Sequence, residues 1–250
     1  MKVSIITVCF NSADTIEQTI LSVLCQTYSE IEYVIVDGDS TDGTLEIINR
    51  YRDSISQLIS EKDSGIYDAM NKGLRLASGD VIGLLNADDF YADKDVIERV
   101  VDALKAENAD CCYGALEYIA KDNPEKIIRR WQSQPYRDGL FEKGWHPPHP
   151  TFFVRKHIYD KYGGFNLLYN ISADYELMLR LLKKYGIKSC YIPHVLIKMR
   201  TGGNSNRSIF QIIRANVECY MAWKRNNLNV GPFIMLRKPA SKLLQYIRRD

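Results

Sequence analysis

Two adjacent aspartates follow an apolar segment in the first half of the chain. The segment GLLNADDFY, residues 83–91, runs from apolar residues directly into Asp88 and Asp89. In open α/β sheets, ligands bind at the carboxyl ends of the strands. Neighbouring carboxylates repel each other unless water or a cation lies between them, and Mg²⁺ or Mn²⁺ takes such oxygen ligands together with substrate phosphates. The pair predicts a divalent-cation site, and a solvated turn is the alternative that these two residues leave open.

The elements that would position this pair alternate between strand and helix over the first hundred residues. Apolar runs predict four strands, at residues 3–9, 31–36, 55–59 and 81–85. Apolar residues at helical spacing lie between them, and repeated strand–helix units favour a parallel sheet. The loops that follow three of these strands would therefore share one sheet edge. Their Asn, Asp, Ser and Thr side chains predict a pocket for a polyhydroxylated, phosphorylated ligand.

Charge is distributed unevenly along the chain. Residues 1–100 contain 8 Lys and Arg against 18 Asp and Glu, whereas residues 198–250 contain 11 against 2. The acidic part suits a cation-dependent site, and the basic end suits an anionic membrane surface. Nucleic acid is a poorer partner, because no basic stripe is interleaved with aromatic residues.

The sequence also bears on the cellular compartment. No apolar run approaches the ~20 residues that a membrane span needs. The amino terminus enters a strand at once, without an extended apolar segment typical of a secretion signal, and the six cysteines include no CxxC pair. These features predict a reduced, cytoplasmic protein.

A further carboxylate stands at the start of a predicted helix in the second half. The segment GGFNLLYNISADYELMLRLLKKYG, residues 163–186, predicts a helix that begins at Ser172 or Asp174 and ends before Gly186. Asp174 is therefore either a helix-capping acid, which this position favours in general, or a catalytic group. Glu176 lies two residues on and is the reserve candidate.

Four motifs, taken in order, resemble those of the family 2 glycosyltransferases, whose fold is called GT-A. The motifs are TVCFN, VDGDSTDGT, SEKDSGIYDAMNKGLRLASGD and LLNADD. The match is specific over about the first 90 residues and weaker to about Ser205. GIYDAMNKG together with HPTFF is more similar to bacterial enzymes of O-antigen, capsule and exopolysaccharide synthesis than to the processive synthases, whose QxxRW motif and membrane spans the sequence lacks. No GxGxxG or GxxxxGK[ST] motif occurs, so phosphates would be held by a metal.

The resemblance implies roles for individual residues of the first half. It assigns contacts with a nucleotide-sugar donor to Thr7, Phe10, Asn11, Asp37, Asp39, Asp63, Asp68, Asn71, Asn86 and Asp88. Asp89 would bind Mg²⁺ or Mn²⁺, with Asp88 on the ribose or beside the metal. Phe10 would lie against the base, which is expected to be the uracil of UDP. Gly38 stands where many relatives have a second acid that reaches this base.

In the second half, the resemblance places Asp174 at the position of the catalytic base. Arg200, with Gly202 and Gly203, would form a loop that closes on the diphosphate, and His149 and Glu176 are expected on the acceptor side. The implied function is a metal-dependent, inverting transfer of a sugar from a nucleotide diphosphate to a lipid-linked saccharide in cell-surface polysaccharide synthesis.

Two other functions remain open at this point. A sugar nucleotidyltransferase also uses paired acids, but such enzymes usually have a Gly-rich loop after the first strand, and VCFNSAD is not one. A non-catalytic nucleotide-sugar-binding scaffold is the alternative from another class.

The predicted organisation is a GT-A α/β domain over residues 1–205, with a mostly parallel central sheet flanked by helices. Its donor half would cover about 1–110 and its acceptor half about 111–205, followed by a basic helical appendage over 206–250. The appendage shows two apolar stripes, Ile209, Ile213, Val217 and Tyr220, then Ala240, Leu243, Leu244 and Ile247. Such helices bind anionic lipid or pack on a protein surface, and the sequence leaves both open. The protein is expected at the inner face of the membrane.

Overall fold

The computed structural model describes residues 1–201 and 209–231, although the side chain of Ile209 is not described. Within this part, nine strands form one sheet. The strands are β1 Val3–Cys9, β2 Ile31–Asp37, β3 Gln57–Ser60, β4 Val81–Asn86, β5 Asp89–Tyr91, β6 Cys111–Ala120, β7 Asn123–Trp131, β8 Phe153–Arg155 and β9 Ser189–Arg200. The α-helices are α1 Ile16–Leu24, α2 Thr44–Asn49, α3 Ile66–Leu76, α4 Val96–Ala106, α5 Lys156–Tyr162, α6 Ala173–Met178 and α7 Ile209–Arg225.

The first half of the sheet is parallel, in the order β3-β2-β1-β4. Every residue of β1 is buried, because helices cover both faces of the sheet. The register pairs Cys9 with Asp37 and Val8 with Asn86. The carboxyl ends of β1, β2 and β4 therefore meet at one edge, as the sequence predicted.

The second half of the sheet is mixed rather than parallel. β8 runs antiparallel between β4 and β6, β9 is parallel to β6, and β5 is antiparallel to β9. The register of β6 against β9 shifts on either side of Ala115. At Gly114 a Cβ atom would lie 2.6 Å from Leu196 Cγ, so only glycine allows this close approach. The irregularity bends the sheet, and the far end of β9 lies beside β5, where it brings Arg200 next to the acid pair.

Helix α7, which the sequence predicted as part of an appendage after residue 205, packs into the folded core. Cys219, Ala222 and Trp223 are buried in the same apolar cluster as residues of α3 and α6. Trp223 Nε1 donates to Tyr175 Oη at 2.8 Å, and Asn226 Nδ2 donates to Glu176 Oε1 at 2.9 Å. Ile213 and Val217 of the predicted stripe are exposed, so this stripe does not form the buried side of the helix. The second predicted stripe, residues 240–247, lies outside the described residues.

A buried glutamate joins three segments of the first half. Glu32 on β2 accepts hydrogen bonds from Lys2 Nζ at 2.7 Å, Ser4 Oγ at 2.5 Å, and Ser78 N and Oγ at 2.7 and 2.6 Å. Burial by itself raises the pKa of this carboxyl, but the hydrogen bonds outweigh burial and lower the pKa to about 2.

We expect Glu32→Gln to lower the free energy of unfolding at pH 7 by about 1–3 kcal/mol, the range for hydrogen bonds to charged groups. Because the folded-state pKa is lowered, this stabilisation is present above the ordinary glutamate pKa of ~4.3 and is lost as the pH falls toward about 2. Urea denaturation at several pH values measures the difference between wild type and variant. An equal effect of Glu30→Gln, an exposed control, or a difference that does not change with pH would contradict this account.

Candidate active site

An exposed aromatic ring stands at the strand-end edge, after β1. Phe10 is 62% exposed, although it directly follows a fully buried strand. Gly38 lies beside it after β2, and a Cβ atom at Gly38 would be 2.5 Å from Asp63 Oδ2 and 3.4 Å from Phe10 Cβ. The carboxylate of Asp63 therefore fills the space that a side chain at position 38 would need. Asp63 Oδ1 accepts the amide of Gly65 at 2.8 Å.

Two residues predicted to contact the donor are held inside the protein by hydrogen bonds. Thr7 is fully buried, and its hydroxyl lies 3.1 Å from that of Tyr33 in the interior. Asp37 is also fully buried and accepts hydrogen bonds from Ser40 Oγ at 2.5 Å and Ser60 Oγ at 2.6 Å. Both side chains are therefore occupied by contacts inside the protein, and their roles in donor binding stay predictions.

Asn11 links the loops after β1 and β2. Its side-chain Oδ1 accepts the amide of Thr41 at 2.9 Å, and its own amide donates to Ser40 Oγ at 2.8 Å. Asn11 therefore shapes the loop that presents Phe10. Asp39 lies in the second loop, where its backbone has a positive φ of 68°. Its side chain is exposed and can therefore contact a ligand.

Two polar residues of α3 that were predicted to contact the donor make hydrogen bonds within the protein. Asp68 Oδ2 accepts the amide of Ser64 at 3.0 Å, which caps the start of this helix. Asn71 Nδ2 donates to the carbonyl of Phe165 at 2.8 Å, and its Oδ1 accepts the amide of the same residue at 2.8 Å. The side-chain amide of Asn71 thus joins the second half of the protein to the first.

The acid pair occupies the end of β4 and the start of β5. Asp88 is half-buried, whereas Asp89 is fully buried. Asn86 Nδ2 donates to Asp89 Oδ2 at 3.2 Å, and Asp89 Oδ1 is buried without a hydrogen-bond partner among the described residues. Burial and then the charge of Asp88 raise the pKa of Asp89 well above its ordinary value. Burial also raises the pKa of Asp88, although the charge of Arg200 opposes it.

Arg200 lies against this pair from the end of β9. Its Nη1 donates to the carbonyl oxygen of Asp88 at 2.6 Å, its Nη2 donates to Gln18, and its guanidinium lies 5.2 Å from the centre of the Phe90 ring. Arg200 is therefore buried beside the acids. Gly202 and Gly203, which complete the predicted closing loop, lie outside the described residues.

The acid pair fits a divalent cation that is shared with a ligand. Within residues 1–201 and 209–231, no three His, Cys, Asp or Glu side chains form a cluster that would hold a metal alone. Oδ1 of Asp89 is buried without a hydrogen-bond partner among the described residues, and burial raises the pKa of both acids although Arg200 lies beside them. Mg²⁺ commonly binds through one or two carboxylates and completes its shell with water and substrate phosphates. Asp88 and Asp89 match that donor set.

Asp174 lies in the first turn of α6, beside α3. Ser172 precedes the helix as its N-cap, and its side chain makes no capping hydrogen bond. The hydroxyl of Tyr67 lies 3.3 Å from Asp174 Oδ1 and 2.7 Å from the carbonyl oxygen of Ile171. Burial and then the charge of Asp174 raise the pKa of Tyr67, so the phenol stays protonated and donates. Tyr67 lies in the first turn of α3 and Asp63 in the loop that leads into this helix, so Asp174 contacts the helix whose entry borders Gly38.

His149 lies on the same side as Asp174. Its ring packs edge-on against Phe165 with 5.8 Å between centres, and its Nε2 is buried with no partner in the part of the chain that the structure describes. Burial lowers the pKa of His149, although the charge of Asp174 opposes this change. The histidine is thus neutral near pH 7 and packed beside the predicted base.

Glu176, predicted on the acceptor side, lies in a buried ion pair. It is 2% exposed, and its Oε1 accepts Arg180 Nε at 2.9 Å and Asn226 Nδ2 at 2.9 Å. Its carboxylate thus has its partners inside the protein. Glu176 therefore joins α6 to the residues after α7.

Sequence reasoning missed two residues around Asp174. Tyr67 lies inside the motif GIYDAMNKG, but the sequence predicted no role for this residue. Glu218 on α7 accepts the amides of Asn170, Ile171 and Ser172 at 3.3, 2.9 and 2.9 Å and so fixes the turn that leads into Asp174. The sequence does single out Glu218, since Glu218 and Asp250 are the two acidic residues of the basic segment 198–250.

The fold is that of a GT-A glycosyltransferase. The family model described as "Glycosyl transferase family 2" matches residues 4–163, and the chain belongs to this family. This membership favours a glycosyltransferase over the nucleotidyltransferase and the non-catalytic scaffold.

Two relatives carry names that refer to biosynthesis. A "PGL/p-HBAD biosynthesis glycosyltransferase" of Mycobacterium bovis is 31% identical over 213 residues, which cover 81% of this chain and 78% of the relative. TuaG of Bacillus subtilis, named as a teichuronic acid biosynthesis glycosyltransferase, is 34% identical over 143 residues, which cover 55% and 56% of the two chains.

Two solved structures share the fold. Staphylococcus aureus TarS 1-349 in complex with UDP-GlcNAc superposes with a TM-score of 0.69 at 15% identity, over 99% of this chain and 73% of that chain. The mannosyltransferase PcManGT of Pyrobaculum calidifontis, in complex with GDP-Man and Mn²⁺, superposes with a TM-score of 0.64 at 18% identity, over 100% and 76%. These likenesses confirm the predicted GT-A fold.

Proposed function

We propose that this glycosyltransferase moves a sugar from a UDP-sugar to a hydroxyl of a lipid-linked saccharide, with inversion, during synthesis of a cell-surface glycan. The observation that carries the proposal is the contact of Tyr67 with Asp174. It brings a half-buried carboxylate next to α3, the helix whose entry borders Phe10 and Gly38. The names of the two relatives support a cell-surface glycan as the product.

The donor half supplies a surface for a nucleotide. A base can lie on the exposed ring of Phe10, with the carboxylate of Asp63 at its edge in the position that a second acid at 38 would otherwise take. Carboxylates accept hydrogen bonds from the N–H groups of a base. Uracil is the proposed base, and UDP-GlcNAc in the TarS complex is in keeping with it.

Asp88 and Asp89 would hold a divalent cation at the diphosphate. When bound there, such a cation supplies a Lewis acid that neutralises charge on the phosphates. The bound Mn²⁺ of PcManGT supports this proposal. Arg200, beside Asp88, adds a fixed positive charge to the same place.

Asp174 is the proposed catalytic base. It takes the proton from the acceptor hydroxyl, whose oxygen attacks the anomeric carbon from the face opposite the diphosphate, and the nucleoside diphosphate leaves. Tyr67 holds the carboxylate from α3, and Glu218 holds the preceding turn from α7. The neutral His149 lies nearby, where it can contact the acceptor or the diphosphate.

A thermal-shift experiment tests the donor part of this proposal. We expect UDP to raise the melting temperature only together with Mg²⁺ or Mn²⁺, because a cation would neutralise the repulsion between the acid pair and the diphosphate and the sequence has no Gly-rich phosphate loop. The stabilisation should approach about 2.7 kcal/mol at a ligand concentration one hundred times Kd. Equal shifts in EDTA would exclude a metal-bridged diphosphate. A larger shift with GDP would show that the pocket formed by Phe10, Gly38 and Asp63 accepts a different base.

We also propose a location at the inner face of the cytoplasmic membrane, where a lipid-linked acceptor would be available. The basic segment 198–250 supports it through attraction to anionic lipid. In the described residues, no helix has both the length and the apolar character needed to cross a bilayer.

A further inference from the structure

Helix α7 presents large apolar side chains on both of its sides. Its inner side is buried against α6 through Cys219, Ala222 and Trp223. Its outer side carries Phe210, Ile213, Val217 and Met221, which are 75%, 55%, 38% and 36% exposed. At 100° per residue these four lie on one stripe, roughly opposite the buried side. A helix side that faces water ordinarily carries polar residues.

Two more exposed apolar residues lie on the loop that contacts α7. Leu167 and Leu168 are 52% and 68% exposed. The residues that follow them touch α7, because Arg225 lies 5.4 Å from the Tyr169 ring and Asn170 donates to Glu218. We call the six apolar residues the docking face: Leu167, Leu168, Phe210, Ile213, Val217 and Met221.

Positive charge borders the docking face. Arg214, Lys224 and Arg225 are exposed on α7 at either side of the stripe. The one acid of this helix, Glu218, is buried and occupied by three backbone amides and by Arg214 at 3.4 Å. An apolar stripe with basic residues on its borders is the pattern of a helix that lies in the headgroup region of a membrane.

We propose that the docking face binds the surface of an anionic phospholipid bilayer. The apolar side chains enter the boundary between headgroups and acyl chains, and the three basic side chains pair with lipid phosphates. Two other occupants of the docking face would fit its basic border less well. Residues 232–250 carry five Lys and Arg against one Asp, and a second copy of the chain would present the same basic border, so either would bring like charges together.

Docking in this way would set the height of the active site above the membrane. Glu218 holds the turn before Asp174 from the side of α7 next to the stripe, and a helix with its side chains is only about 10–12 Å across. Asp174 would therefore work close to the lipid surface, within reach of a sugar on a lipid carrier. This consequence rests on the proposed function, whereas the docking itself does not.

Vesicle binding by the full chain tests the proposal. We expect the triple variant Phe210→Ser, Ile213→Ser, Val217→Ser to lose at least 10-fold in affinity for phosphatidylglycerol vesicles at low salt, because it removes most of the exposed apolar stripe. The matched control is Ile127→Ser with Ile128→Ser, two exposed isoleucines on β7. The control should bind like wild type, and both variants should keep the wild-type melting temperature.

Several results would overturn the proposal. Unchanged binding by the triple variant would assign lipid binding to another segment, and equal binding to phosphatidylcholine vesicles would remove the role of charge. A lower melting temperature of the triple variant would show that the chain itself covers the face, and a change from dimer to monomer would show that a second copy does. Vesicle binding is measured without donor or acceptor, so a failure of the UDP and Mn²⁺ experiment leaves this result intact.

Discussion

Asp174→Asn should lower the rate of sugar transfer by about 10²-fold or more, the usual scale for loss of a general base. Binding of UDP with Mn²⁺ should stay within a few-fold of wild type. Asparagine has nearly the same shape and can still accept a hydrogen bond from the Tyr67 hydroxyl, which lies 3.3 Å from Asp174 Oδ1. What it loses is the ability to take a proton. Steady-state transfer rates and nucleotide titrations on the same preparation separate these effects.

Three further variants distinguish the base from its surroundings. Tyr67→Phe removes a positioning contact, so it should lower transfer by less than Asp174→Asn does, without abolishing it. Glu176→Gln breaks a buried ion pair with Arg180 and should reduce stability more than chemistry. Asp160→Asn, at an exposed site on α5, is the matched control and should leave transfer unchanged. Near-normal transfer by Asp174→Asn would remove the proposed base.

Asp89→Asn should weaken the binding of UDP in the presence of Mn²⁺ by about 10- to 100-fold, the range seen when the surroundings of a bound metal are altered. The same variant should be more stable than wild type when no metal is present, by about 1–3 kcal/mol at pH 8, because asparagine removes a buried charge that lacks a full set of partners. Function and stability would then change in opposite directions at one residue.

The sign of the pH dependence follows from the raised pKa of Asp89. A carboxyl whose pKa is higher in the folded state than in the unfolded state stabilises the fold below the unfolded value of ~3.9 and loses that contribution as the pH rises through the folded value. The advantage of Asp89→Asn should therefore grow with pH in EDTA and shrink when Mn²⁺ is added. Denaturant titrations at pH 5 and pH 8 measure it.

Asp102→Asn, an exposed site on α4, is the control for Asp89→Asn and should change neither binding nor stability. If Asp89→Asn bound UDP and Mn²⁺ as wild type does, the cation would have to depend on Asp88 alone. If the variant were less stable at every pH, the buried carboxylate would stabilise the fold and would not be a buried charge that lacks partners.

Much of the first half could be predicted because its signals are local. The apolar runs that gave β1, β2 and β4 depend only on neighbouring residues, and the polar residues after each run mark where the strands end. The helix start at Ser172 or Asp174 was predicted in the same way, and the structure begins α6 at Ala173. Four motifs in order gave the family, and the matching family model confirms it.

The same local signals could not tell which polar side chains face the ligand edge. Thr7 and Phe10 both belong to TVCFN, yet one is buried beside Tyr33 and the other is exposed. A strand covered on both faces has no alternating pattern, so its sequence does not identify the side of each residue. Asp37 likewise resembled a ligand contact, and only the loop around it reveals that its hydrogen bonds are already satisfied.

The sequence by itself determined the strand-end chemistry, the position of the acid pair and the family, because each is written in a short run of residues. Tertiary structure alone decided which groups meet. Asn71 holds Phe165 across 94 positions, Tyr67 reaches Asp174 across 107, and Glu218 holds Ser172 across 46. It also decided which side of α7 is buried, since both sides are apolar and only the packing of Trp223 and Ala222 against α6 selects one. Such contacts follow from how distant segments pack, and no local pattern encodes them.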